Sequence, residues 1–236
     1  MVRGLLLDFY GTVVEDDDAI MAAIAGRVAA GAADAVGSSN SSTPGEPSST
    51  RVTGAEVLGA WGDEFVAVAE GTPFRTLRDC AVRSLTTVMA AVGCPGDAAE
   101  FCAPQFAYWR SPPLLPGTRE FLASLAVPVC IVSDADHDDL QAALTAHGLT
   151  FDAVVTSDRV GAYKPAAAMF AQALAALGLS SHEVIHIGDS LRADIAGAHA
   201  AGIASAWLNR RGLPAADGAP ATHVIADLSQ LSPHLA

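Results

Sequence analysis

Four short segments carry residues able to do chemistry: Asp8-Phe9-Tyr10-Gly11-Thr12, Ile131-Val132-Ser133-Asp134, Gly161-Ala162-Tyr163-Lys164-Pro165 and Ile187-Gly188-Asp189-Ser190, the last followed by Asp194. Together they offer a carboxylate nucleophile, a hydroxyl, an amine and further carboxylates. That set suits attack by Asp8 on an electrophile, with Lys164 and a divalent cation offsetting negative charge. Asp8 and Asp189 can share Mg²⁺, a hard cation that takes one or two carboxylates and keeps its waters. Asp194 is placed either to orient Lys164 or to reach the metal through water. Ser133 and neighbouring backbone N–H groups can cradle phosphate oxygens.

These groups act together only if the chain brings them to one place. Short, continuously apolar runs recur at Leu5–Asp8, Val127–Ser133, Ala153–Ser157, Val184–Asp189, Ala204–Asn209 and Val224–Asp227. Continuous rather than alternating hydrophobicity predicts strands covered on both faces, as in a parallel sheet. Helical segments at His137–His147, Ala166–Leu177 and Leu191–Ala201 alternate with them, which predicts a doubly wound, Rossmann-like α/β sheet. In such a sheet the ligand crevice lies at the carboxyl ends of the strands, where the four polar segments stand.

Residues 15–115 break the alternation and read as wholly helical. Val57, Trp61, Phe65 and Val68 follow one helical stripe, and Leu77, Ala81, Leu85, Val88 and Val92 another. Thr53 with Glu56 forms a capping-box signature. The first strand must still pair with later ones, so the expected division is a core of 1–14 with 116–236 and an inserted all-helical cap of 15–115. Within the insertion, the Ser/Gly/Pro-rich stretch at about 37–51 reads as a flexible loop.

The 236 residues carry 13 basic and 26 acidic side chains, a formal charge of −13. That balance leaves no basic footprint for nucleic acid or anionic membrane. The expected partner is a small molecule, bound by a monomer or homodimer. Cys80, Cys94, Cys102 and Cys130 are too scattered for a disulfide framework or zinc cluster and read as reduced thiols of a cytoplasmic chain. Asp8 interrupts the apolar start, which reads as neither a signal peptide nor a membrane span.

Taken in order, Asp8-x-x-Gly11-Thr12, hydrophobic-Ser133, Lys164-Pro165 and Gly188-Asp189-Ser190-x-x-x-Asp194 resemble the haloacid dehalogenase superfamily of hydrolases, and the insertion resembles that superfamily's cap after its first motif. The resemblance implies Asp8 as nucleophile and Ser133 with Lys164 as the phosphate-binding pair, joined by Thr12 and Asp134 of the same motifs. It implies Mg²⁺ at Asp8, Asp189, Asp194 and a backbone carbonyl near Tyr10. The expected activity is hydrolysis of a small phosphate ester.

Tyr10 departs from the phosphatase pattern, which has a second aspartate there as general acid and base. A tyrosine near its reference pKa of about 10 is a poor base at neutral pH, and loss of a general acid/base typically costs on the order of 10²–10⁴ in rate. The 2-haloacid dehalogenases of the superfamily show a tyrosine at this position, because a halide leaves unprotonated. Asp134 and Asp189 oppose that alternative: the dehalogenases have no metal, and they carry asparagine and small neutral residues there. A third reading is a catalytically weak or dead relative. His186, inside an apolar run, reads as a core histidine. The acidic runs Glu15–Asp18 and Asp136–Asp139 read as solvated charge at helix starts.

Overall fold

A computed structural model describes residues 2–39, 51–214 and 220–234. Residues 40–50, most of the stretch expected as a flexible loop, lie outside them. Six strands, β1 (Gly4–Leu7), β2 (Val129–Ser133), β3 (Ala153–Thr156), β4 (Val184–Gly188), β5 (Ala204–Leu208) and β6 (His223–Ile225), form one sheet in the order β3-β2-β1-β4-β5-β6. Every pairing is parallel. Between β1 and β2 come α1 (Asp18–Ser39), α2 (Gly54–Ala69), α3 (Leu77–Val92), α4 (Ala98–Trp109) and α5 (Thr118–Ser124). Later connections hold α6 (His137–His147), α7 (Ser157–Val160), α8 (Ala167–Leu177) and α9 (Ala196–Ala200).

The central strands β1, β2 and β4 are buried at every position because both faces are covered. Leu5 and Leu7 join Ile131, Ile185, Ile187, Phe121, Leu140 and Leu144 in one buried cluster. Leu6, between them in sequence, joins Cys130, Val132, Met169, Phe170 and Ala198 in the other. Period-2 alternation therefore sorts side chains between two buried layers, not between core and water. The strand order reverses about β1, which is where a doubly wound sheet opens its crevice.

The chain divides into two compact units, Met1–Asp16 with Arg110–Ala236, and Asp17–Trp109. The second is all helical among its described residues. Val57 and Trp61 of α2 are buried, as are Cys80, Ala81, Ser84, Leu85, Val88 and Met89 of α3, and Trp61 Nε1 donates to Ser84 Oγ at 2.9 Å. Thr53 and Glu56 make the expected capping box at the start of α2. Phe65 and Val68 of the expected stripe are only half-buried.

Two of the acidic runs are not simply solvated. Asp17 is buried and accepts from Gln105 Nε2 and Trp109 Nε1, both at 2.7 Å, so it ties the start of the helical unit to its end. Burial raises its pKa, against the lowering effect of those two bonds. Asp139 is likewise buried and pairs with Arg110 at 3.0 Å. All four cysteines are buried and outside any disulfide, and burial pushes the Cys102 and Cys130 thiols up to about 12. Among the described residues no helix is long and apolar enough to cross a membrane.

Candidate active site

Strand pairing sets the positions of the acids. Leu7 is level with Ile131 of β2 and Ile187 of β4, so the residues that follow β1, β2 and β4 emerge at one edge of the sheet. The Asp8 N–H donates to Ile187 O at 2.9 Å. Phe9 O then accepts from the N–H groups of Thr12, Val13 and Val14, closing a turn. Gly11 makes that turn at φ 82°, and a Cβ there would lie 2.6 Å from Asp189 Oδ2. A glycine serves both needs, a left-handed backbone and room for the carboxylate.

Lys164 binds the acids together. Its Nζ donates to Asp8 Oδ1 at 2.7 Å and to Asp194 Oδ1 at 2.6 Å, while its own N–H donates to Asp134 Oδ1 at 2.8 Å. Thr12 Oγ1 donates to Asp8 Oδ2 at 3.2 Å. Asp194 lies on one π-helical turn, Leu191–Ile195, opened by Ser190, whose Oγ accepts from Ala193 N–H. Its Oδ2 takes the Ser190 N–H at 3.0 Å and its Oδ1 also takes His186 Nε2 at 2.9 Å. Asp8, Asp189 and Asp194 each present an oxygen within 4.8 Å of the others. The Ser133 Oγ, at the end of β2, is buried without a hydrogen-bond partner among the described residues.

Of the residues expected from sequence, Asp8, Thr12, Lys164, Asp189 and Asp194 thus meet directly, and Asp134 joins them through the Lys164 backbone. Tyr10 is half-buried, its ring packed on the core cluster and edge-on to Phe9 at 5.1 Å.

The cluster is short of positive charge. Burial raises the Asp8 carboxyl, opposed by Lys164 and reinforced by Asp194. Burial and then Asp8, Asp194 and Asp16 push Asp189 up to about 8. Burial lifts Asp134 to about 6, against the pull of Lys164. Burial also works against ionised Asp194, but Lys164 and the His186 bond outweigh it and hold that carboxyl below its usual range. Burial opposes the Lys164 charge too, and Asp194, Asp8 and Asp134 more than restore it. One ammonium faces more carboxylate than it can neutralise, and a hard cation is what such a donor set accepts.

The family model for haloacid dehalogenase-like hydrolases matches residues 2–202. The chain belongs to that family. A phosphoserine phosphatase of Thermus thermophilus is 31% identical over 164 residues, 66% of this chain and 59% of that protein; the match therefore spans about three fifths of the relative's length. Among solved structures, a haloacid dehalogenase-like hydrolase of Bacillus subtilis bound to magnesium has a TM-score of 0.71 at 20% identity, covering 99% of this chain and 98% of that one. The L-2-haloacid dehalogenase of Xanthobacter autotrophicus has a TM-score of 0.70 at 20% identity, with 99% and 98% covered. Similarity at that level establishes a shared fold and leaves the chemistry to the site.

The roles of three residues, one of them Gly188 of the last motif, were not read from the sequence. His186 supports Asp194, and Trp207 Nε1 donates to Asp189 O at 2.8 Å. Gly188 has no side chain because Asp194 fills the space: a Cβ there would lie 2.2 Å from Asp194 Cγ. The only sequence signal was a polar histidine two residues before a glycine, which places both on one face of an apolar strand. Gly188→Ala is expected to displace the Asp194 carboxylate, and a misplacement near 1 Å costs roughly 10²-fold in turnover. Circular dichroism should show the fold retained, while kcat falls.

Proposed function

We propose that this chain is a Mg²⁺-dependent phosphatase that hydrolyses a small phosphorylated metabolite through an aspartyl-phosphate on Asp8. The observation that carries this reading is the packing of Asp8, Asp189 and Asp194 within 4.8 Å of one another around one lysine. Asp8, Asp189 and the Tyr10 backbone carbonyl would hold the cation. Asp194 has Lys164, His186 and Ser190 on its oxygens and so acts by holding the lysine. When bound, Mg²⁺ would neutralise phosphoryl oxygens that the acids otherwise repel.

Asp8 is buried at a strand end and oriented by Thr12 and Lys164, which suits it to attack phosphorus from a fixed position. The Asp8 Oδ–P bond forms as the ester P–O bond breaks, and water then cleaves the acyl phosphate. Lys164 stabilises the charge that develops on the transferring group, and the unpartnered Ser133 hydroxyl is available to a phosphate oxygen. Tyr10 supplies no acid for the leaving group, so slow turnover of simple alkyl esters is part of the reading. The helical unit, as a cap, would select the substrate.

Tyr10 also favours a second reading, hydrolysis of a 2-haloacid through an ester on Asp8. Asp134 and Asp189 weigh against it, since these half-buried carboxylates, when ionised, would repel both the halide and the substrate's own carboxylate. A panel of phosphorylated metabolites and 2-haloacids, with and without Mg²⁺, separates them. Phosphate release that is lost on chelation supports the first reading; metal-independent halide release overturns it.

The metal assignment has a pH signature. Asp189, raised from 3.8 to about 8, must lose its proton to become a ligand. Apparent Mg²⁺ affinity should rise up to about tenfold per pH unit below pH 8 and level off above it. In metal-free protein the same shift lowers stability as pH climbs from about 4 to about 8, because the unfolded chain gives up that proton first. Titration calorimetry at several pH values checks this; a pH-independent affinity contradicts it.

A further inference from the structure

His186 has no task in that reaction, yet it stands fully buried in the middle of β4 with its ring edge-on to Phe170 at 5.2 Å and 85°. Its Nε2 lies 2.9 Å from Asp194 Oδ1, the oxygen that Lys164 Nζ also reaches at 2.6 Å. Its Nδ1 is buried with no hydrogen-bond partner among the described residues. Packing does not account for an imidazole here: leucine or methionine would fill the place without stranding a nitrogen away from water. The bond to Asp194 is what the imidazole adds.

That bond bears on how Lys164 is shared. The ammonium sits between Asp8 Oδ1 and Asp194 Oδ1. Were the Asp194 carboxylate to turn, Lys164 would close on Asp8 alone and cap an oxygen of the nucleophile. Ser190 N–H fixes Oδ2, and His186 is the second support, on Oδ1. We propose that His186 is a positioning residue: by donating from Nε2 to Asp194 Oδ1, it fixes that carboxylate so that Lys164 stays bridged between Asp194 and the nucleophile. The kinetic consequence rests on the proposed use of Asp8 and Lys164; the geometric one does not.

The test uses the full chain and two readouts. Nitrogen-edited NMR of the metal-free protein follows the Lys164 ammonium, whose hydrogens exchange slowly while two buried carboxylates hold them. Its signal should persist in His186→Gln, whose amide nitrogen reaches about where Nε2 does, and broaden or shift in His186→Leu and in the shorter His186→Asn. With p-nitrophenyl phosphate and Mg²⁺, His186→Leu and His186→Asn should lose about 10- to 100-fold in kcat. KM should move by less than about threefold, and His186→Gln should recover most of the loss. If His186→Leu does not fold, the Gln and Asn pair decides alone. Gln and Asn variants with equal kcat and equal ammonium signals, or a folded Leu variant matching the wild type in both, would overturn the proposal. If the wild type hydrolyses no phosphate ester, the phosphatase reading fails while the ammonium comparison still decides the role of His186.

Discussion

Asp8→Asn is expected to remove turnover, by roughly 10⁴–10⁶-fold in kcat, the scale seen when an enzyme loses its nucleophile, while leaving the fold intact. The amide keeps the size of the carboxylate at the end of β1; its one oxygen can accept from Lys164 in place of Asp8 Oδ1, while its NH2, in place of Oδ2, can donate to the Thr12 hydroxyl. It deletes one of the charges that crowd Asp189 and Asp194. Lys164 keeps Asp194 as its ion-pair partner at 2.6 Å. The melting temperature of metal-free Asp8→Asn should therefore equal or exceed that of the wild type. Loss of activity together with loss of structure would assign Asp8 a structural role instead.

Lys164→Met should have the largest effect on stability. The lysine side chain is 3% exposed and pairs with Asp8 at 2.7 Å and Asp194 at 2.6 Å. Removing the cation leaves two buried carboxylates facing each other and Asp189. Breaking a buried pair from one side typically costs about 3–5 kcal/mol, which for a chain of this size lowers Tm by roughly 6–20 °C. The loss should be greatest above the carboxylate pKa values and shrink toward acid pH, where protonation removes the repulsion. Differential scanning calorimetry at pH 5 and pH 8 measures both. An unchanged Tm at pH 8 would mean that the ion pairs contribute nothing to the folded state.

The sheet was legible in the sequence because strands covered on both faces are largely apolar, and six such runs stand out. Expected strands ended on Asp8 and Asp189, whereas the ladders stop at Leu7 and Gly188; the acids lie just outside the pairing, free to turn into the crevice. The expected helix at Leu191–Ala201 begins instead as a π-helical turn, a feature with no periodicity to announce it. Asp8, Asp134 and Asp189 were legible because they stand at or just beyond the end of an apolar run, and Asp194 by its spacing from Asp189. What the sequence could not give was pairing between distant residues. Asp17 reads as one more acid in a charged run until Gln105 and Trp109 reach it, and Asp139 until Arg110 does. His186 looks like a core residue, and Gly188 only a motif glycine, because their roles depend on where Asp194 lies, which only the fold determines.

Acid quench of the enzyme during turnover of p-nitrophenyl phosphate with Mg²⁺, followed by mass mapping of its peptides, tests the central claim most directly. A phosphoryl group on Asp8, missing after chelation and missing from Asp8→Asn, is the predicted result. An unmodified Asp8 during phosphate release, or an ester on Asp8 formed from a 2-haloacid without metal, would contradict it.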